Sequence, residues 1–208
     1  MRIEGNGSYG DSLGNVNKVL GVAEIADDSI ENFNITGNIL FKEINLKKCN
    51  LVGNANGDSL RGVSVVLCGG VDITDICCED LHVTGKLSSK KIKTKKAELF
   101  FNDGADIGEI DVNSNLKITR KTDVENVKIN IKLPFFNLNF DASHVDNFEK
   151  SQIMISKIRA LSVDLSGCHI GELICESGKL QECHVDSLVC KNDIAIGEDC
   201  VIKKIVKI

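Results

Sequence analysis

Two eight-residue segments near the end of the chain, CHIGELIC and CHVDSLVC, each begin with a Cys-His pair and end with a second cysteine. Thiolate and imidazole are common zinc ligands, so Cys168, His169, Cys183 and His184 are the residues whose types could do chemistry. A third segment, CVIKKIVK from Cys200, has the first cysteine without the histidine. The spacing therefore fits either a doubled metal site or one structural unit written three times.

The alternation of side chains along a strand favours the structural unit. Aligning the three segments places Cys168, Cys183 and Cys200 at one position, with an aliphatic residue two positions later in each. Neighbouring side chains on a strand point to opposite faces, so inward cysteines leave His169 and His184 facing solvent. Sulfur and imidazole divided in this way cannot easily share one tetrahedral ion. We therefore expect stacked core thiols, with no metal site and no cofactor.

The first half of the chain repeats with a period of sixteen residues. One position is aliphatic in five successive copies: Ile35, Leu51, Leu67, Val83 and Leu99. Two residues earlier the same step gives an apolar series: Phe33, Cys49, Val65, Leu81 and Ala97. Two residues later it gives a glycine series that breaks only at Phe101: Gly37, Gly53, Gly69 and Gly85. Several positions that keep one period through four or five copies indicate a repeat architecture.

Each copy alternates apolar and polar residues, as in FNITGNI, CNLVGNA and LHVTGKL. This is the period of a strand with one buried face, and one such coil buries its inner face only by stacking on its neighbours. The sequence predicts an all-β, right-handed parallel β-helix, a solenoid with coils of about 16 to 17 residues. Its core column comprises Ile35, Leu51, Leu67, Val83, Leu99, Cys168, Cys183 and Cys200.

Departures from the period divide the chain into four parts. We expect an irregular N-terminal coil over 1–30, β-helix coils over 31–121, an interrupted segment with a loop excursion over 122–160, and C-terminal coils over 161–208. The interrupted segment contains the single proline and the phenylalanines Phe135, Phe136 and Phe140. Those phenylalanines either cap the core from a longer loop or form an exposed apolar patch for a partner or a membrane surface.

Composition limits the partners and the compartment. A net charge of −5 argues against nucleic acid, which is bound through an excess of Lys and Arg. Nine cysteines without an apolar export segment fit reduced thiols in the cytoplasm. No apolar run approaches the roughly 20 residues that span a bilayer. We expect a cytoplasmic protein whose membrane association is at most peripheral, at the inner face of the cell membrane.

The sequence contains no recognisable catalytic pattern. It has no G-x-S-x-G, no phosphate-binding loop and no dinucleotide fingerprint, and its four histidines have no nucleophile or orienting acid at a typical spacing. One segment, Ile196-Gly197 to Ile202, matches a hexapeptide-repeat acyltransferase unit, but the sixteen-residue period does not fit three hexapeptides. We expect no enzyme and no catalytic residue, and a divergent acyltransferase remains the less favoured alternative.

The chain resembles the bactofilins, a family of polymer-forming bacterial cytoskeletal proteins. The resemblance rests on the glycine-punctuated coils ITGNI, LVGNA and VTGKL and on the closing segment KNDIAIGEDCVIKKI. The form of the family found in Gram-positive bacteria also has a segment with proline and phenylalanine before its last coils, and LPFF resembles that segment. The resemblance to this family implies a right-handed parallel β-helix that self-assembles as a scaffold for envelope, shape or motility machinery. This sequence lacks the membrane-targeting and proline-rich tails of many members.

The two ends of the β-helix are the expected polymerisation surfaces. A terminal coil leaves unpaired backbone groups that can pair with another strand. The C-terminal end stays apolar through Ile202, Ile205, Val206 and Ile208, and the N-terminal end would present Ile3, Ile25 and Ile30. We expect homopolymers or homodimers by end-to-end stacking, together with envelope or motility proteins as partners. The alternative is a non-polymerising adaptor that docks a partner through 133–140.

Overall fold

The computed structural model describes the backbone of residues 2–4, 7–9, 18–25, 28–120, 128–133, 136–141 and 152–208, and the side chains of 32–102, 104–120 and 152–208. No helix occurs within those ranges. They form the strands β1 (Arg2–Glu4), β2 (Gly7–Tyr9), β3 (Lys18–Ile25), β4 (Asp28–Arg120), β5 (Lys128–Leu133), β6 (Phe136–Asp141), β7 (Ile153–Ser166), β8 (Cys168–Gln181), β9 (His184–Cys190), β10 (Ile194–Ile196), β11 (Val201–Ile202) and β12 (Ile205–Lys207).

Successive windings of the chain pair in parallel. Strands β1, β3, β4, β7, β8, β9 and β11 follow one another across a single sheet, while β2, β10 and β12 pair with β3, β8 and β9. Gly21 pairs with Gly37, Ile155 with Ile170, and Ile170 in turn with Val185. The fold is a parallel β-helix of stacked coils, which confirms the predicted architecture.

Strand β4 winds through several coils by itself. Asn50 Nδ2 donates a hydrogen bond to Asn34 Oδ1, and Asn54 Nδ2 donates one to Asn38 Oδ1, both at 2.8 Å. The members of each pair are sixteen residues apart, so sixteen residues make one coil in this part of the chain. These amide pairs lie on the outer surface, each joining one coil to the next, and their spacing equals the coil length of sixteen residues that the repeat predicts.

Inward side chains fill the interior in columns, which we define as residues at one register position in successive coils. Each coil buries pairs of residues two apart, for example Phe33 with Ile35 on one wall segment and Ile39 with Phe41 on the next. The column Ile35, Leu51, Leu67, Val83 and Leu99 is at most 3% exposed. This pairing follows from side-chain alternation, which sends every second residue inward until a corner interrupts the strand.

A column of glycines lies at one corner of these coils. Gly37, Gly53, Gly69 and Gly85 have positive φ angles between 125° and 141°. A Cβ atom at Gly53 would lie 1.9 Å from the carbonyl oxygen of Gly37, and one at Gly69 would lie 2.0 Å from that of Gly53. Only glycine suits both the backbone angle and the close approach of neighbouring coils.

Coil length changes after Leu99, where the sixteen-residue period stops. Ser114 Oγ donates to the Lys95 carbonyl 19 residues earlier, whereas the pairing of β7 with β8 steps by 15 residues, as from Ile155 to Ile170. The described strands between Arg120 and Gln152, β5 and β6, form a separate sheet, and Ala105 pairs directly with Ile153. Regular pairing therefore resumes earlier than residue 160, and at the other end it already includes β1 to β3 within 1–30.

The excursion contains an antiparallel hairpin formed by β5 and β6. Its register joins apolar partners at alternate positions: Ile129 with Phe140, Ile131 with Leu138, and Leu133 with Phe136. The intervening partners are polar: Lys128 with Asp141, Asn130 with Asn139, and Lys132 with Asn137. Along this register apolar residues therefore pair with apolar residues and polar residues with polar residues.

Candidate assembly face and the outer wall beside it

The last coil is built from three short strands that pair on one side only. Strand β10 pairs with β8, and β11 and β12 pair with β9, with Ile202 opposite Val185 and Ile205 opposite Leu188. Within 152–208 no further strand lies beyond them. The outer edge of this coil therefore presents backbone N–H and C=O groups without a partner strand, the arrangement that accepts another strand.

The inward columns continue into this coil but are no longer covered. Leu180, Val185 and Leu188 are at most 1% exposed, whereas Ile196 and Ile205, which stack on two of them, are 45% and 51% exposed. The difference arises because nothing in the described chain packs on the last coil. The ending of the columns thus produces an apolar end surface, which we call the C-terminal face and define by Ile196, Ile202 and Ile205.

The residues predicted for this end occupy different positions. Ile202 is half-buried and Ile205 exposed, both in inward columns. Ile208 is 76% exposed, and its backbone N–H donates to the Cys190 carbonyl at 3.1 Å. Val206 pairs with Val189, one residue out of phase with the inward positions, and is half-buried. Strand alternation therefore places Val206 on the side wall rather than on the C-terminal face.

A lysine interrupts the apolar C-terminal face. Lys207 pairs with Cys190 in the register, so it continues the inward column of Cys175 and Cys190. Its Nζ forms a hydrogen-bonded ion pair with Asp193. This bond lowers the pKa of the Asp193 carboxyl and raises that of the Lys207 ammonium. An inward-pointing charge at a strand edge is a device that weakens edge-to-edge association.

At the opposite end, the backbone register is described but the side chains of the predicted residues are not. Ile3 lies in β1, which pairs with β3 through Val19. Ile25 stands between Tyr9 and Phe41 in the register, so it belongs to the second coil rather than to the terminal one. Ile30 lies in β4. Of the predicted hairpin patch, Phe136 and Phe140 lie in β6, and Phe135 lies outside the described residues.

The thiol columns consist of free cysteines, most of them buried. All nine cysteines are free; Cys168 and Cys183 are buried and Cys200 is half-buried beneath the C-terminal face. Burial raises the pKa of Cys49 to about 12 and that of Cys175 to about 11. Since the thiolate is the reactive form, Cys49 and Cys175 are poor nucleophiles and act as small apolar side chains. Cys168 and Cys183 differ, because the hydrogen bond between them raises the pKa of Cys168 and lowers that of Cys183.

Beside the C-terminal face, the outer wall brings two histidines together. His169 and His184 pair in the register of β8 and β9, and their ring centroids are 4.2 Å apart with an interplanar angle of 40°. The cysteines that precede them are both buried. Asp186, two residues after His184 on the same face, lies 3.7 Å from His184 Nε2, and Lys203 Nζ lies 2.7 Å from Asp186 Oδ1.

Asp186 was not among the residues that the sequence singled out. The signal for it was available, because a residue two positions after an outward histidine shares its face. A small cavity of about 160 Å³ also reaches these histidines, lined by Arg120, Gln152, Glu182 and other residues at the root of the excursion. Glu182 is the only non-glycine residue with positive φ in the part of the chain that the structure describes.

Comparison of the chain with family models, curated proteins and solved structures gives no match. The resemblance to bactofilins therefore stays a prediction that rests on the glycine-punctuated coils and the closing segment. Within the described ranges, none of the secondary-structure elements is a helix long and apolar enough to cross a membrane.

Proposed function

We propose that this chain is a structural scaffold protein that associates with itself end to end through the C-terminal face. The observation that carries the proposal is the exposure of Ile196 and Ile205 in columns that are otherwise fully buried. A coil added beyond them would cover these side chains and pair with the free backbone edge. A two-fold arrangement of two identical ends is the simplest closed form of such a contact.

The favourable and unfavourable free-energy terms of this association are expected to nearly cancel. Fully burying an isoleucine contributes about 1.5–3 kcal/mol, and the three isoleucines of each C-terminal face are already partly buried. Loss of translational and rotational freedom costs about 4–15 kcal/mol. The two terms are similar in size, so backbone pairing across the interface decides the outcome. We expect assembly that depends strongly on protein concentration.

The resemblance to bactofilins supports the same proposal, since that family forms polymers from β-helical subunits. On this basis we place the protein in the cytoplasm or at the inner face of the cell membrane, with envelope or motility proteins as partners. We also propose that it has no catalytic role: burial raises the pKa of Cys49 and Cys175, Cys183, whose pKa is lowered by its hydrogen bond with Cys168, is itself buried, and the cavity at the excursion root is small. If the N-terminal end associates as well, the product is a filament without polarity.

The proposal is tested by placing charge on the C-terminal face. Replacing both Ile202 and Ile205 with lysine should abolish association at this end, because each copy would bring two ammonium groups against the same two groups of its partner. Light scattering and negative-stain microscopy over a concentration series measure the effect. Leu161→Lys is the matched control, since Leu161 is 48% exposed in β7, away from the C-terminal face. Circular dichroism checks that each variant keeps its β structure.

Two results would refute end-to-end assembly through this face. One is a wild-type protein that stays monomeric at every accessible concentration. The other is a double variant whose assemblies match those of the wild type and of Leu161→Lys. If both ends associate, blocking the C-terminal face should convert filaments into dimers joined at the N-terminal end. If only the C-terminal face associates, the wild type should be a dimer and the variant a monomer.

A second candidate function is that of an adaptor that binds a partner through the β5–β6 hairpin. It is favoured by the register, which separates apolar from polar pairs in that hairpin. Removing residues 135–140 should abolish binding to envelope or motility proteins and leave self-association unchanged. Loss of self-association in this deletion would contradict the adaptor model. An acyltransferase of the hexapeptide type, the third alternative, would require a trimer, which light scattering detects in the same experiment.

A further inference from the structure

We propose that His169, His184 and Asp186 form a binding site for a divalent transition-metal ion such as Zn²⁺ on the outer wall of the β-helix. One ligand atom from each residue lies within 4.8 Å of the other two. The site bridges two successive coils, because His169 belongs to β8 while the other two residues belong to β9. It is independent of the proposed assembly and uses no residue of the C-terminal face.

The parallel register is what creates this cluster. His169 pairs with His184, and parallel strands hold such partners about 4.8 Å apart. Asp186 follows His184 by two residues, so strand alternation puts both on the outer wall while Cys183 points inward. The sequence argument against a metal site concerned a set of cysteine and histidine ligands, which point to opposite faces of the strand. The cluster replaces sulfur by a carboxylate and therefore avoids that conflict of directions.

Gly171 places no side chain beside these ligands. On β8 it is the outward residue that follows His169, and in the register it stands next to Asp186. With no side chain at this position, the space between His169 and Asp186 is not filled from β8. A substituent would not be accommodated easily, because a Cβ atom at Gly171 would lie 2.6 Å from the Ser156 carbonyl oxygen.

An unsatisfied polar atom points to the ligand. His184 Nε2 is buried and has no hydrogen-bond partner. Its nearest acidic oxygen, Asp186 Oδ1, is 3.7 Å away, which is too long for a hydrogen bond. A buried nitrogen without a partner is unfavourable in a folded protein. Coordination of a cation by this nitrogen would satisfy it and would use the adjacent carboxylate as well.

Only a small adjustment would complete the coordination. Zinc–nitrogen and zinc–oxygen bonds are about 2.0–2.2 Å long, so two ligand atoms of one ion can be at most about 4.4 Å apart. Closing the 4.8 Å spread calls for small rotations of these half-buried side chains. Three protein ligands leave one or more positions for water, and a set of two imidazoles and one carboxylate favours Zn²⁺, Co²⁺ or Ni²⁺ over Ca²⁺ and Mg²⁺.

Lys203 is the competitor for this site. Its ammonium lies 2.7 Å from Asp186 Oδ1, and both side chains are about half exposed. Exposed ion pairs contribute little because water screens them, so a divalent cation can displace the ammonium at modest cost. It follows that removing the Lys203 charge should tighten metal binding, an effect opposite to that of removing a ligand.

The test is calorimetric titration of Zn²⁺ into the full chain, performed in a Cys77→Ser background because Cys77 is an exposed thiol. We expect one site per chain. His169→Gln and His184→Gln should each weaken binding by about 10- to 100-fold or more, the range seen when a supporting partner of a metal site is lost. Lys203→Gln should tighten it by about twofold to fivefold, the equivalent of one exposed ion pair.

His82→Gln is the matched control, since His82 lies 3.7 Å from Glu98 but belongs to no three-residue cluster in the described part of the chain. It should bind Zn²⁺ like the wild type. The Co²⁺-loaded protein should show visible absorption without a sulfur charge-transfer band. The proposal is overturned if the wild type does not bind Zn²⁺, if His184→Gln binds as tightly as the wild type, or if the Co²⁺ spectrum reveals thiolate. Lys203→Gln guards against misfolding, which cannot raise affinity.

Discussion

The ring of Phe41 occupies the space that a side chain would take at Gly57 in the next coil. A Cβ atom at Gly57 would lie 2.3 Å from Cε2 of the Phe41 ring. Gly62 has the same relationship to Leu46, whose Cδ1 would lie 2.7 Å from the added atom. At these two positions a large inward residue in one coil is matched by a glycine in the following coil, which keeps the interior filled without overpacking.

This pairing predicts coupled effects on stability. Gly57→Ala should destabilise the protein by about 1–3 kcal/mol, because the methyl group overlaps the Phe41 ring. Phe41→Leu should also destabilise it, through lost contacts. The double variant should be more stable than the sum of the two single changes predicts, by about 0.5–3 kcal/mol, as is usual for residues in contact. Equilibrium urea unfolding of the four proteins measures this, and strict additivity would contradict the proposed contact.

The glycine column at the corner predicts a second stability effect. Gly53→Ala should reduce the free energy of unfolding by at least about 1–3 kcal/mol, the cost of holding a residue in a disfavoured backbone region. The φ angle of 139° and the approach of 1.9 Å to the Gly37 carbonyl oxygen both oppose a side chain. Gly197→Ala is the control, because its Cβ would lie 3.2 Å from the Leu180 carbonyl oxygen. Equal losses for the two variants in urea unfolding would argue against this explanation.

The burial of His82 predicts that the stability of the protein depends on pH. Burial lowers its pKa below the ordinary 6.5, and Glu98 only partly offsets this. Between the lowered pKa and 6.5 the unfolded chain binds more protons, so stability falls as the pH is lowered through that window. His82→Gln should reduce this loss, measured as the change in urea midpoint between pH 7.5 and pH 5.5. A variant with the wild-type pH dependence would show that His82 does not contribute.

Replacing Lys207 with an apolar residue should increase self-association through the C-terminal face. Replacing Lys207 with leucine removes the charge from the Cys190 column and leaves the C-terminal face uniformly apolar. The concentration at which light scattering detects assembly should fall. Lys191→Leu is the matched control, because Lys191 forms a similar exposed ion pair, with Glu176 at 3.3 Å. If both variants assemble like the wild type, the charge at Lys207 has no protective role.

The sequence predicted the β-helix because its inward positions keep a constant spacing. From Phe33 to Leu99 the sixteen-residue step brings together residues that are buried in the structure, and Cys168, Cys183 and Cys200 share a register. The step is lost where Ser114 reaches back 19 residues to Lys95. Extra residues at a corner shift every later position, so a fixed period cannot follow the chain through them.

The candidate sites were less predictable from the sequence. Val206 looked like an end residue because it is apolar and near the terminus, but the register puts it on the side wall. Asp186 was overlooked because its significance depends on the pairing of His169 with His184 in adjacent coils. Gly57 was not singled out in the sequence, because its role depends on its contact with Phe41 in the preceding coil. In each case the missing information was which residues of different coils are neighbours.

The excursion between Arg120 and Gln152 has an evolutionary consequence. Since Ala105 pairs with Ile153 as if nothing intervened, the 31 residues at 121–151 can change in length or content without shifting any later coil. A segment of different length, or a grafted domain, can be placed there while the spacing of the coils stays the same. The β-helix and the segment between Arg120 and Gln152 can therefore change independently of each other.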